Sequence, residues 1–333
     1  MLVGLPAGVL LLALEIAARG GFKLTGTPVP SWAIVETICV LASLGLLAAC
    51  SAQAAQRRAD GWQDFAGPSP FVLIATQQAI VTALGLPLSA ALDQFDVSTD
   101  SAVGLLFVVP LYLATYFGLV YAFGVRTRAL TWSDVVHPRR LSPDLGDWTP
   151  VALAERIGWR APTSRLRRWL KGPLGDFLLA ACCLVPVMIA TGLTNVVLLT
   201  VLGLGQTDLQ SEVPANPGLI EKLITLVAIA VAIPIGEEVF FRGYTTNAWA
   251  RSMNRNQALL RAALFFAFIH VINTDNTDAW LSLRAAAFNF GARVPVALVL
   301  CWLYLRRRSL VASVSLHGLY NGLIVLLSIV VTT

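Results

Sequence analysis

The chain has 333 residues, of which 56% are hydrophobic and only 13% are charged. Soluble domains average about 25% charged residues, so this composition rules out an ordinary soluble domain. The net charge of +5 is modest and concentrated in one connection, which argues against a nucleic-acid-binding protein. The five cysteines lie in apolar segments without CxxC spacing, so neither a disulfide framework nor a thiolate metal site is expected.

Nine apolar segments follow one another along the sequence, and most are long enough to cross a bilayer as helices. They predict an all-α fold, a polytopic transmembrane helical bundle with about eight or nine membrane helices. The first segment is short and contains Glu15, so it could be a span, an interfacial helix or an uncleaved anchor. The segments are 2–18, 32–55, 70–92, 102–124, 174–202, 219–241, 257–273, 284–305 and 309–331.

The connections between these segments alternate in charge. The 125–172 connection carries ten Lys/Arg residues, whereas 93–101 and 203–218 carry acids and no base. The other basic connections are 57–58, 242–261 and 306–308. Because cytoplasmic loops of membrane proteins are enriched in Lys and Arg, we expect the basic connections in the cytoplasm.

Two adjacent carboxylates, Glu237 and Glu238, lie inside the sixth apolar segment. Ionisable residues at membrane depth are rare and typically functional. Glu238 and Arg242 are four residues apart with the acid first, an order that favours an ion pair on one helix face. Glu237 points about 100° away from Glu238 on the same helix, so it is the candidate general base.

Two of the three histidines, His270 and His317, lie in the seventh and ninth segments. Counted from the nearest basic connection at 1.5 Å per residue, Glu237 and both histidines lie roughly 8–14 Å deep. Their similar depth predicts that they meet in the cytoplasmic leaflet. Phe266 lies one turn before His270, and Asn321 lies one turn after His317. This set indicates a buried hydrolytic site.

Two chemical schemes remain open for these residues. In the first, Glu237 activates a water that His270 positions, while His317 and Asn321 donate hydrogen bonds to the developing oxyanion. In the second, Glu237, His270 and His317 hold a divalent metal such as zinc with one open position. Both schemes hydrolyse an amide or an ester, so the cofactor is either none or a divalent metal.

Three motifs carry a resemblance to a known family. Residues 237–242 fit its EExxxR motif, residues 266–270 fit FxxxH, and residues 317–321 fit HxxxN. Together they resemble the CAAX-protease and bacteriocin-processing family of intramembrane proteases, also called CPBP or Abi, which is related to type II CAAX prenyl endopeptidase. The resemblance extends over about 237–321, and its three motifs lie on the sixth, seventh and ninth segments, which are each predicted to be membrane helices.

The resemblance implies an all-helical intramembrane fold with a conical cavity open to the cytosol. It also implies that Glu237 and His270 activate water and that His317 and Asn321 support the oxyanion. Glu238 and Arg242 would be a structural or assisting pair, and Phe266 a further supporting residue. Family members have been described both as metalloproteases and as metal-independent glutamate proteases, so the resemblance leaves the metal open.

The predicted function is therefore that of an intramembrane endopeptidase with Glu237, His270, His317 and Asn321 as catalytic residues. We expect a multi-pass protein, in the plasma membrane, with its active site toward the cytoplasm. The expected partners are a peptide or membrane-protein substrate and the lipid bilayer, with no nucleic acid. The alternative is a non-catalytic membrane scaffold or bacteriocin-immunity protein of the same fold.

The predicted domain organisation has three parts. N-terminal transmembrane helices occupy 1–124, a basic cytoplasmic loop occupies 125–173, and a CPBP-type intramembrane protease domain occupies 174–331.

Three arginines have no role in this scheme. Arg293 lies near the middle of the eighth segment, where a charge is costly. It could pair with an intramembrane acid such as Glu15 or Glu36, meet a substrate carboxylate, or snorkel outward. Arg307 and Arg308 stand where the family resemblance implies small residues, which could alter the mouth of the cavity.

Overall fold

The computed structural model describes residues 22–24, 27–29, 31–61, 65–99, 101–138, 172–205, 218–273 and 279–332. These parts are predominantly helical and confirm the predicted all-α bundle. Seven of the described helices are long and apolar enough to cross a membrane, so the protein is an integral, multi-pass membrane protein. The described residues contain one pair of short antiparallel strands, β1 (Phe22–Leu24) and β2 (Thr27–Val29). The predicted segment 2–18 lies outside the described residues.

The chain divides into two compact units, Met1–Thr131 and Trp132–Thr333. The first unit contains α1, which packs along α2, and α2 in turn packs along α3. Cys50 and Thr76 lie 3.4 Å apart, sulfur to oxygen, in the α1–α2 contact. The helices are α1 (Ser31–Ala59), α2 (Pro70–Asp93) and α3 (Ala102–Val120), and α3 continues through a π-helical turn, Tyr121–Val125.

The second unit holds all the predicted site residues. Its helices are α4 (Trp132–Val136), α5 (Pro173–Leu202), α6 (Leu219–Ser252), α7 (Arg255–Ile269), α8 (Ala279–Arg307) and α9 (Leu310–Thr332). α5, α8 and α9 pack against one another around a core that includes Val187, Leu300 and Leu316. Leu193 and Val196 of α5 are exposed, as expected for a helix that faces lipid rather than water.

The helix that carries the acid pair is longer than predicted. α6 continues through Arg242 to Ser252, and only Met253 and Asn254 separate it from α7. The predicted 242–261 connection is therefore wrong. Arg242 was counted as a loop residue because of its charge, but its side chain is fully buried and bonded to Glu238 inside the protein.

The seventh predicted span is also shorter than expected. α7 has 15 residues and ends at Ile269, where a 3-10 turn, His270–Asn273, takes over. An α-helix of this length is about 22 Å long, less than the roughly 30 Å of a bilayer core. Of the described helices, α7 is accordingly not one of the seven that could cross a membrane.

α6 changes its pitch twice around the acid pair. An α-helical stretch, Ile233–Glu238, lies between two π-helical stretches, Ala228–Ala232 and Val239–Thr246. Pro234 has no backbone N–H and cannot bond the carbonyl four residues earlier, that of Ala230. π-helical stretches absorb such irregularities and are frequent at functional sites. The irregularity at Pro234 is thus accommodated by widened turns on either side of the acid pair.

α9 approaches α6 most closely at this irregular part. A Cβ added to Gly318 would lie 2.5 Å from the Ala230 carbonyl oxygen, and one added to Gly322 would lie 3.2 Å from the Ala230 Cβ. Gly318 and Gly322 are four residues apart on one face of α9. Small residues with this spacing allow membrane helices to approach closely. The contact holds the residues next to Gly318 against α6.

Substituting Gly318 with alanine should therefore separate α9 from α6. We expect Gly318→Ala to lower stability by about 1–3 kcal/mol, as overpacking does, because the added methyl meets a backbone oxygen that cannot rotate away. The measurement is the midpoint of unfolding in mixed micelles. Gly192→Ala on α5 is the matched control, since its Cβ would meet nothing within 4 Å. Equal midpoints for the two variants would contradict this account of the contact.

Candidate active site

The structure brings two carboxylates of α6 and one histidine of α9 together. The His317 Nδ1 atom lies 2.8 Å from Glu238 Oε1, and its Nε2 atom lies 3.6 Å from Glu237 Oε2. The imidazole of α9 thus lies between the two acids of α6. Neither contact follows from local spacing, because about 80 residues separate the partners.

Glu238 is the fixed member of the acid pair. Arg242 NH1 donates to Glu238 Oε1 at 2.6 Å, and both side chains are fully buried. This is the ion pair that the i,i+4 spacing predicted. The Arg242 guanidinium also lies over the Phe266 ring, 4.4 Å from its centroid. A cation in contact with both a carboxylate and an aromatic face is held in one position.

Phe266 forms a wall that both histidines contact. Its ring centroid is 4.6 Å from that of His270 and 5.7 Å from that of His317. The FxxxH motif therefore places one aromatic ring where it touches α6, through Arg242, and α9, through His317.

The hydrogen bonds assign the proton of each imidazole. Glu238 Oε1 already accepts from Arg242, so the carboxylate is an acceptor and His317 Nδ1–H donates to it. The His270 Nδ1 atom lies 2.8 Å from the Phe266 carbonyl, which can only accept, so this nitrogen also carries a proton. In the neutral imidazole of His270, Nε2 is therefore left as an acceptor.

Glu237 differs from its neighbour in exposure and in bonding. Its side chain is 15% exposed, whereas that of Glu238 is fully buried. The 3.6 Å between Glu237 Oε2 and His317 Nε2 exceeds the length of a direct hydrogen bond. Glu237 is thus the acid that a solvent molecule could reach.

Asn321 makes a contact that the sequence did not reveal. Its Nδ2 donates to the carbonyl of Ile229 at 3.2 Å, within the first π-helical stretch of α6. The amide therefore ties α9 to α6 one turn beyond His317. Its face of α9 is the one predicted from the HxxxN spacing.

Several residues near the acid pair were missed at the level of sequence. Ser313, one turn before His317, interacts with Glu238, and Cys301 of α8 interacts with Arg242 and Thr246. Serine and cysteine are common in apolar helices, so neither residue type was conspicuous. The spacing of four between Ser313 and His317 was the one signal available for the serine.

The short helix α4 supports the second π-helical stretch of α6. Asn247 Nδ2 lies within hydrogen-bond distance of the Asp134 carbonyl (2.9 Å), the Gly243 carbonyl (2.8 Å) and the Tyr304 hydroxyl (2.7 Å). The Tyr304 hydroxyl donates in turn to the Val135 carbonyl at 2.9 Å. A buried network of this kind rigidifies the helices it joins. The first residues of the basic connection are therefore part of the framework around the site.

Arg307 and Arg308 anchor the turn between α8 and α9. Arg307 forms a 2.6 Å ion pair with Asp176 at the start of α5, and both side chains are largely buried. Arg308 Nε donates to the Pro138 carbonyl at 2.8 Å, and its own carbonyl lies 3.1 Å from Nδ1 of the exposed His137. The two arginines that depart from the family pattern thus make specific contacts on this side of the unit.

The residues suggested for a divalent metal do not form a metal site. Within the described parts of the chain, no three His, Cys, Asp or Glu side chains are arranged to hold a metal ion. His317 directs Nδ1 to Glu238, and its Nε2 lies 3.6 Å from Glu237 Oε2. As placed here, Glu237, His270 and His317 therefore do not converge as ligands of one zinc ion.

A polytopic helical membrane protein with a buried acid–histidine cluster is the class that this fold and site define. Residues 219–323 match the family described as type II CAAX prenyl endopeptidase Rce1-like. The matched residues contain all three motifs, so the match supports the CAAX-protease family that the motifs predicted. The match supports a function of the intramembrane-protease kind. Among curated proteins and among solved structures, none shows a significant match to this chain.

Proposed function

We propose that the protein is an intramembrane endopeptidase in which Glu237 acts as the general base. The observation that carries this proposal is the asymmetry of the acid pair around His317. Glu238 is fully buried and bonded to both Arg242 and His317, whereas Glu237 is partly exposed and lies beyond hydrogen-bond distance of the same imidazole. Glu238 holds the His317 imidazole in place, and Glu237 is available to accept a proton from water.

The proposed reaction begins with a water molecule between Glu237 and His270. Glu237 accepts one proton while the water oxygen attacks the peptide carbonyl carbon, and Nε2 of His270 accepts a hydrogen bond that orients the water. The carbonyl electron pair moves to oxygen and forms an oxyanion. When the oxyanion collapses, the C–N bond breaks, and Glu237 returns its proton to the leaving amine.

His317 and Asn321 are the proposed donors to the oxyanion. His317 would donate from Nε2–H to the oxyanion while its Nδ1–H remains hydrogen-bonded to Glu238. Asn321 would donate from the amide that now bonds the Ile229 carbonyl, so substrate binding would replace that hydrogen bond. Both donors lie on one face of α9, one turn apart.

The metal-independent form of this reaction has a direct test. We expect purified, active protein to contain less than stoichiometric zinc and to keep its full rate after treatment with a chelator, because the three candidate ligands do not converge. Metal content by mass spectrometry and cleavage rate should be measured on one preparation. Loss of activity on chelation with recovery on adding zinc would overturn the glutamate-base mechanism in favour of a metal hydroxide.

Orientation, location and domain organisation are part of the proposal. The basic residues 306–308 at the α8–α9 turn favour a cytoplasmic turn, so the active site would open toward the cytoplasm of a plasma-membrane protein. The proposed organisation remains transmembrane helices over 1–124, a basic loop over 125–173 and the protease domain over 174–331. The substrate class is a peptide or small membrane protein. The description of the matched family makes a prenylated peptide one candidate.

The function is tested by comparing the peptides of cells that express the wild-type chain with those of cells that express Glu237→Gln. We expect a defined set of membrane or secreted peptides to be shortened by the wild type alone, with new ends that map to single peptide bonds. Identical peptide sets would favour the non-catalytic scaffold or immunity protein, since a scaffold does not need a general base.

A further inference from the structure

Residues 132–138, here called the α4 segment, are bound to α6 just after its second π-helical stretch. Asn247 Nδ2 donates to the Asp134 carbonyl at 2.9 Å, and Arg251 Nη2 lies 3.2 Å from Asp134 Oδ1. Asp134 is buried, so both contacts are formed inside the protein. The α4 segment therefore holds the end of α6 through the backbone and the side chain of one residue.

Val135 of the same segment packs closely on α6 and is bonded to α8. A Cβ added to Gly243 would lie 2.5 Å from Val135 Cγ1, so only a glycine fits at this point of α6. The Tyr304 hydroxyl of α8 donates to the Val135 carbonyl at 2.9 Å and accepts from Asn247 Nδ2 at 2.7 Å. Rotation of α6 about its axis would break these contacts, so they fix the direction in which its side chains point.

The other end of the α4 segment is bound to the turn that precedes α9. Arg308 Nε donates to the Pro138 carbonyl at 2.8 Å, and His137 Nδ1 donates to the Arg308 carbonyl at 3.1 Å. Arg308 has a φ of +52°, in the left-handed region that residues with a side chain rarely adopt. A glycine would adopt this conformation without strain, but it would lack the side chain that bonds Pro138.

Glu237 and His317 lie on the two helices that the α4 segment joins. Asn247 is ten residues after Glu237, beyond the second π-helical stretch, and Arg308 is nine residues before His317. A π-helical stretch is wider and less regular than an α-helix, and Pro234 removes a further backbone hydrogen bond. The helix alone therefore does not fix the direction of Glu237, and contacts with neighbouring segments must do so.

We propose that the α4 segment positions Glu237 against His317, with Tyr304 and Arg308 as positioning residues. This inference rests on the proposed endopeptidase function and extends it to residues outside the acid–histidine cluster. The α4 segment precedes the residues that match the family, so the match does not account for this role. One segment holds the end of α6 and the start of α9, so its displacement would shift the acid and the imidazole relative to each other.

The first test measures kcat and KM for an identified substrate, with the full chain in lipid nanodiscs. Arg308→Gly relaxes the backbone but removes the bond to Pro138, so the unfolding midpoint should change little while cleavage slows. Tyr304→Phe removes the bond to Val135. We expect each variant to lower kcat by roughly 10–10²-fold with KM nearly unchanged, since a displacement of about 1 Å can have this effect. Arg308→Gln should retain much of the rate, because its amide nitrogen can donate from the place of Nε.

Arg128→Gly and Tyr116→Phe are the matched controls. Arg128 also has a left-handed backbone, with a φ of +61°, and Tyr116 is also a buried tyrosine, but both lie in the first unit. Neither substitution should change kcat. Each positioning variant should also be combined with Glu237→Gln. Because Tyr304 and Arg308 act through Glu237, their substitutions should slow this protein much less than the wild type. An equal loss in both backgrounds would overturn the proposal.

A second measurement does not depend on cleavage. The chain contains three histidines, so isotope-labelled histidine gives an NMR spectrum whose imidazole signals can be assigned by substitution. Arg308→Gly and Tyr304→Phe should shift the His317 nitrogen signals, which report its surroundings between the two acids, whereas the two controls should not. Shifted signals in a chain that cleaves nothing would contradict the protease and support the positioning role. Unshifted signals, or an unchanged kcat in both variants, would overturn the positioning role, and loss of cleavage in Glu237→Gln would then still support the protease.

Discussion

Replacement of Glu237 by glutamine should lower the rate of peptide cleavage by about 10²–10⁴-fold, the range supplied by a general base. Glutamine has nearly the shape of glutamate but cannot accept a proton from the attacking water. The ion pair of Glu238 with Arg242 and its bond with His317 do not involve Glu237, so the helices should stay assembled. The measurement is single-turnover cleavage of an identified substrate, with the unfolding midpoint recorded for the same sample.

The matched control for this variant is Glu221→Gln. Glu221 is an exposed carboxylate on the same helix, and its side chain accepts a hydrogen bond from the Gly218 N–H at the helix start. Glutamine can still accept that bond, so both rate and midpoint should match the wild type. A Glu237→Gln protein that cleaves at the wild-type rate would disprove the role of Glu237. A variant that is slow only because it unfolds would show a lowered midpoint.

Replacement of Arg242 by alanine should destabilise the second unit by about 3–5 kcal/mol, the usual effect of removing one partner of a buried ion pair. The fully buried Glu238 would keep His317 as a partner but lose its counter-charge. The Phe266 ring would also lose the guanidinium that lies over it. Equilibrium unfolding in mixed micelles measures the change in the free energy of unfolding.

Two further variants show whether the effect arises from an unbalanced charge. Combining Arg242→Met with Glu238→Leu removes both charges and keeps most of the volume, so part of the lost stability should return. Arg251→Ala breaks the longer and less buried pair with Asp134 (3.2 Å) and should cause a smaller loss. An Arg242→Ala protein as stable as the wild type would mean that the ion pair contributes nothing to the fold.

Local spacing predicted some features of the site well. The Glu238–Arg242 pair follows from four residues on one helix, and Phe266 meets His270 for the same reason. The proximity of Glu237 and His317 was predicted from loop charge and depth in the membrane, because no sequence periodicity links α6 to α9. The position of His317 between both acids could not be deduced, since depth alone does not specify rotation about the helix axis.

Two predicted segment boundaries were wrong, each for its own reason. Charge was taken as a sign of the membrane boundary, and this failed at Arg242, whose charge is balanced inside the protein. The predicted seventh segment, 257–273, ran past the end of α7 at Ile269 because its apolar residues continue into the 3-10 turn. The bonds of Asn321 with Ile229 and of Asn247 with Asp134 depend on the close approach of helices, for which the sequence contains only small residues such as Gly318.

The widened turns of α6 at Val239–Thr246 make the orientation of the acid pair depend on the number of residues in this stretch. The Thr246 hydroxyl, Oγ1, donates to the Phe241 carbonyl within this π-helical stretch. A widened turn takes up one residue more than an α-helical turn, which corresponds to about 100° of rotation. Losing a single residue here would turn the acids relative to Asn247 and its anchor on α4. The direction in which the two acids point therefore depends on the number of residues in this stretch of α6. Natural variants should tolerate substitutions here better than deletions.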